Sequence, residues 1–105
     1  MVHESRRSTR VPLKLFIKVE GGAESQTWDA ETIIVSLHGA LIATAAELRR
    51  GMRISIYVYV TDKHARARVV YVDPKNPQHC GIELDEPHNI WGVPLSPDDW
   101  GEQHF

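Results

Sequence analysis

Apolar and polar residues alternate with period two along most of this chain, the spacing of strands that bury one face. After Pro12, Leu13, Leu15, Ile17 and Val19 alternate with Lys14, Phe16 and Lys18, which predicts a first strand. Gly21-Gly22 and the polar run to Gln26 predict a turn or loop. A second strand runs from Trp28 to Val35 and ends in the apolar run Ile33-Ile34-Val35, and extended structure resumes at Ala40–Ala43. Thr44–Arg50 is helix-compatible but too short for an independent helix, and Gly51 is a natural stop. The clearest strand is Arg53–Val60, with Ile54, Ile56, Val58 and Val60 on one face and Ser55, Tyr57 and Tyr59 on the other. Thr61-Asp62-Lys63 then predicts a hairpin into His64–Val72, where Ala65, Ala67, Val69 and Tyr71 share a face opposite Arg66, Arg68, Val70 and Val72. Asp73–Pro77 is dense in turn formers, and Cys80–Leu84 is a last short strand.

About six short strands without a βαβ rhythm indicate an all-β fold, an antiparallel barrel or a sandwich. From Glu86 onward, Pro87, Pro94 and Pro97 argue against a long helix, so the C-terminal segment is read as irregular. Its Trp91 and Trp100 are large apolar groups expected to cover an open end of the core. Residues 1–10 are polar and have nothing to bury, the composition of a mobile leader.

With 105 residues there is room for one core. The formal net charge is -2, so the overall field attracts neither nucleic acid nor an anionic membrane. Locally the balance reverses, because the first ten residues hold three arginines against one glutamate. Cys80 is the lone cysteine, which leaves no internal disulfide and fits a reducing cytoplasm. No apolar run approaches the roughly 20 residues that span a bilayer, so no membrane insertion is expected. His3, His38, His64, His79, His88 and His104 show no paired ligand spacing, and no metal site is expected. Asp29, Ser36 and His38 could form a triad on paper, but no nucleophile elbow supports it, and the chain is read as a non-enzyme without a cofactor. Tyr57, Tyr59 and Tyr71 with Arg53, Arg66 and Arg68 could make an aromatic-basic surface for single strands. The negative overall charge argues against a DNA or RNA partner.

Two short motifs remain. Arg6-Arg7-Ser8-Thr9-Arg10 contains R-x-x-x-R immediately before the first strand, and Ile34-Val35-Ser36-Leu37-His38-Gly39 reads x-x-S-x-x-G at a strand end. Alone, the first is also what a solvated basic leader looks like, and the second an ordinary turn. Together, with the β-rich remainder and Cys80-Gly81-Ile82-Glu83-Leu84 as closing strand, they resemble the PilZ domain, the bacterial receptor module for cyclic di-GMP. The resemblance implies a six-stranded antiparallel β-barrel: leader 1–11, barrel 12–85 and an irregular Trp-containing tail 86–105.

It also implies a site. Arg6 and Arg10, with Arg7 beside them, would grip phosphates and guanine edges, since the arginine fork matches the guanine O6/N7 pair. Ser36 would bond a guanine or a phosphate, Gly39 would leave room for a base, and His38 could stack on one. One position departs: the family pattern is (D/N)-x-S-x-x-G, and Ile34 stands where an Asp or Asn would bond guanine N–H groups. An unpaired buried N–H there costs about 1–3 kcal/mol, roughly tenfold to a hundredfold in affinity. Two readings follow. In the first, a cytoplasmic receptor binds cyclic di-GMP and changes its contacts with an unidentified protein partner, as monomer or homodimer. In the second, a degenerate barrel no longer binds nucleotide and serves as a protein-interaction module.

Overall fold

A computed structural model describes residues 8–22 and 25–100. Its strands are β1 (Val11–Pro12), β2 (Phe16–Gly21), β3 (Gln26–Val35), β4 (Gly39–Thr44), β5 (Arg53–Val58), β6 (Lys63–Val72) and β7 (His79–Leu84). All pairings are antiparallel. The sheet runs β1-β3-β2-β5-β6-β7-β4, and β4 also pairs with β3. Six strands therefore close into the expected barrel, and the two-residue β1 lies outside it on the end of β3. Closure leaves the six without an unpaired edge. The one helical turn among the described residues is a 3₁₀ turn, Asp98–Trp100.

The core follows the period-two pattern. Ile17 and Val19, Ile54, Ile56 and Val58, Ala67 and Val69, and Cys80, Ile82 and Leu84 all point inward and are buried. Ile90, Trp91 and Trp100 of the irregular C-terminal segment join the same cluster. The Trp91 indole N–H donates to the Ser36 carbonyl at 2.8 Å, and that of Trp100 to the Thr9 carbonyl at 2.8 Å. Both indoles thus bury a large apolar surface with their one donor satisfied.

The structure departs from the simple alternation in four places, each with a local cause. The expected strand from Leu13 is broken before Phe16 by the buried Thr32. Its hydroxyl accepts from the Leu15 N–H at 2.9 Å and donates to the Leu13 carbonyl at 2.6 Å, taking the place of a ladder rung. At the other end of β5, Val60 does not continue the inward face. The chain has already turned there, Asp62 takes a left-handed φ of 57°, and Val60 is 73% exposed.

The other two departures are β-bulges. One lies between Thr32 and Ile34 where β3 pairs with β4, the other between Val69 and Tyr71 where β6 pairs with β7. An extra residue on one strand reverses the parity of everything beyond it. Beyond Ile33, Val35 is the buried residue and Ile34 faces outward. Beyond Val70, Val72 packs against the core, and Tyr71 is 48% exposed instead of sharing the inward face of Ala67 and Val69.

Candidate functional site

Both bulges border the same feature, a groove of about 620 Å³ on the outer surface of β3, β4, β7 and β6. The strand register lays out its floor. Ile34 pairs with Leu41, Leu41 with Gly81, and Gly81 with Tyr71, so one row across four strands carries two aliphatic side chains, a bare glycine and an aromatic ring. The glycine matters here, because a Cβ at position 81 would meet the Tyr71 Cβ at 3.1 Å. Ile34 and Tyr71 reach this row because the bulges turn them out of the barrel.

The next row along is polar. Ser36–Gly39 joins β3 to β4 through a closed turn: the Ser36 N–H donates to the Gly39 carbonyl at 2.8 Å, and the Gly39 N–H donates to the Ser36 hydroxyl at 3.2 Å. The Ser36 carbonyl is held from below by Trp91. The Leu84 N–H donates to the His38 carbonyl at 2.8 Å, and the His88 N–H to the Leu37 carbonyl at 3.0 Å, so the turn is tied to β7 and to the chain beyond it. A Cβ on Gly39 would lie 2.0 Å from the Ile82 carbonyl oxygen. The close approach that requires glycine here is therefore to the backbone of β7.

The end of the leader completes the wall. The buried Ser8 hydroxyl shares a 3.0 Å hydrogen bond with His38 Nδ1. Thr9 is clasped by the 3₁₀ turn, with its N–H and hydroxyl both donating to an Asp99 carboxylate oxygen, at 2.9 and 2.8 Å. Between these anchors and β1, Arg10 is exposed and lines the groove. Of the residues that the sequence pointed to, Arg10, Ser36, His38 and Gly39 thus converge on one groove, with Ile34 in its floor. Arg6 and Arg7 lie outside the described residues. Tyr71 and Glu83 line the groove too, although neither sequence motif contains them; the Glu83 carboxylate accepts from Arg68 Nη2 at 3.0 Å.

The remaining chemistry lies elsewhere. Cys80 is buried, and burial pushes its thiol above the usual range, which suits a core residue better than a nucleophile. On the opposite side of the barrel, the Tyr57 hydroxyl donates to Asp62 at 2.6 Å and that of Tyr59 to Asp29 at 3.1 Å. The Asp62 hydrogen bond is the main reason the Tyr57 phenol titrates above its ordinary value; for Tyr59 the first cause is desolvation, then the bond to Asp29. Among the described residues, no three His, Cys, Asp or Glu side chains are grouped to hold a metal ion, and no helix is long and apolar enough to cross a membrane.

A closed antiparallel barrel thus carries an arginine, a serine turn and a histidine around one outer groove. The domain model of one class of such barrels, the PilZ domain, matches residues 4–90, which is most of the chain, and the chain belongs to that family of cyclic di-GMP-binding receptor domains. No curated protein matches the chain.

Proposed function

We propose that the groove binds cyclic di-GMP and that the chain is a small cytoplasmic receptor whose contacts with a protein partner change on binding. Arg10 pairs with a phosphate or a guanine O6/N7 edge, and His38 presents a ring for stacking. Arg6 and Arg7 are assigned to the ligand by the motif alone. The Tyr71 ring and the aliphatic pair Ile34 and Leu41 offer an apolar bed for the faces of the bases. The observation that carries this reading is the convergence of Arg10, Ser36, His38 and Gly39 on one groove of about 620 Å³ within the family-matched region. Because Ser8 and Thr9 tie the leader to His38 and to the 3₁₀ turn, a ligand engaging Arg10 would act on the leader and tail together. That gives a ligand and a protein partner a shared conformational equilibrium to bias.

A second reading rests on Ile34 and on the Ser36 hydroxyl. The first cannot accept a guanine N–H, and the second already accepts from Gly39. On this reading the barrel is a constitutive protein-interaction module. Isothermal titration with cyclic di-GMP separates the two. The receptor reading expects low-micromolar binding that weakens about tenfold to a hundredfold in Arg10→Ala, the range for a lost charge-assisted bond. An absence of heat at ligand concentrations of about 1 mM would leave the interaction module.

A further inference from the structure

Arg10 sits between two fixed points on the chain. After it, Val11 pairs with Val35 and Pro12 with Ile34, in a two-residue strand where Pro12 has no N–H to give. Before it, Thr9 is held by all three of its polar atoms. Its N–H and its hydroxyl both donate to Asp99 Oδ2, at 2.9 and 2.8 Å, and its carbonyl accepts from the Trp100 indole N–H at 2.8 Å. The holding residues come from the Asp98–Trp100 turn, which lies 90 and 91 positions further along and beyond the stretch 4–90 that the family model matches. The turn is itself anchored. Trp100 is 2% exposed and belongs to the core cluster of the barrel, and its backbone N–H donates to the Pro97 carbonyl at 3.0 Å. The clasp takes up Thr9 and leaves the Arg10 side chain exposed along the groove.

Resting on the cyclic di-GMP reading above, we infer that Asp99 and Trp100 are positioning residues of the ligand site: acting through Thr9, they fix the backbone from which Arg10 reaches the groove. Ordering a stretch of backbone costs conformational entropy, and the clasp meets that cost when the chain folds rather than when the ligand binds. Held by β1 alone, the segment would have to be ordered by the ligand. Coupling of this kind is reciprocal, so a ligand that profits from the clasp strengthens it by the same factor. The tail turn is therefore an element whose stability reports occupancy of the groove. Charge works the other way. Asp99 is an exposed carboxylate whose field opposes a phosphate, so its charge alone predicts tighter binding on its removal.

The test is titration of the full chain with cyclic di-GMP as wild type, Asp99→Ala, Asp99→Asn, Trp100→Phe, Arg10→Ala and the Asp99→Ala/Arg10→Ala double variant. Thermal melts of each report on folding. Asp99→Ala removes the acceptor of both Thr9 donors, and Trp100→Phe keeps the bulk while removing the indole donor. Each is expected to lose about tenfold in affinity. Asp99→Asn keeps an oxygen that can accept both bonds and should bind at least as tightly as wild type. In the Arg10→Ala background, followed by amide resonance shifts, Asp99→Ala should change affinity by less than about twofold, because nothing is left to position. A merely structural role would cost the same with or without Arg10. Asp99 is exposed, so its variants decide the matter should Trp100→Phe fail to fold. Wild-type affinity in Asp99→Ala, an Asp99→Asn as weak as Asp99→Ala, or an equal Asp99→Ala loss in both backgrounds overturns the inference. The receptor reading then stands on wild-type binding that Arg10→Ala weakens. No wild-type binding of cyclic di-GMP overturns both.

Discussion

The two sides of the barrel are built from the same alternation and differ by two residues. On the β2–β5 side the ladder is regular: Ile17, Val19, Ile56 and Val58 point in, and Phe16, Lys18, Ser55 and Tyr57 point out. Its exterior satisfies itself locally, with Lys18 5.5 Å from the centre of the Tyr57 ring, Tyr57 edge-on to Tyr59, and both hydroxyls on carboxylates. On the β3–β4–β7–β6 side, the extra residues Ile33 and Val70 break the register, and the surface between them is a groove. A regular strand decorates a surface, whereas a bulge re-aims one side chain without disturbing the core behind it. Here two bulges aim an isoleucine and a tyrosine into the space that Arg10, His38 and Ser36 border.

If the groove side is the constructed side, damage to its supports should far exceed damage to the regular face. The largest expected effect is Trp91→Ala. It empties a fully buried site and leaves the Ser36 carbonyl without its indole donor, for a loss of about 3–5 kcal/mol in denaturant unfolding and weaker ligand binding. Next is Gly39→Ala. The added Cβ meets a carbonyl oxygen that cannot move without parting β4 from β7, so a loss of about 1–3 kcal/mol or more is expected in thermal melts. Smallest is Tyr57→Phe on the regular face. It removes an exposed hydrogen bond to Asp62 and should leave the thermal melt close to that of the wild type. A Tyr57→Phe cost rivaling that of Gly39→Ala would break the contrast.

The same two bulges mark the boundary of what the sequence discloses. Where alternation is regular, as in β5 and the first part of β6, the inward residues could be read from spacing alone. The bulged stretches are Ile33-Ile34-Val35 and Val69-Val70-Tyr71-Val72, apolar at every position. Such runs read equally well in either parity, so pattern cannot show which residue is the extra one. A consecutive apolar run in a strand that otherwise alternates was the available signal for Tyr71. Glu83 gave no such signal, because its place in the groove comes from the pairing of β7 with β4, a contact more than 40 positions away along the chain. The break before Phe16 was equally hidden, since it depends on a threonine hydroxyl reaching across from β3. The Ser36–Gly39 turn was legible as a motif, but the need for glycine there lies with the backbone of β7.

The central claim, that the bulged side of the barrel is a cyclic di-GMP site, is tested most directly by following backbone amide resonances while the ligand is titrated in. The account predicts shifts centred on Ser36, Gly39, Gly81 and Glu83, with Lys18, Ser55 and Tyr57 unmoved. No shift at about 1 mM ligand, or shifts centred on β2 and β5, would contradict it.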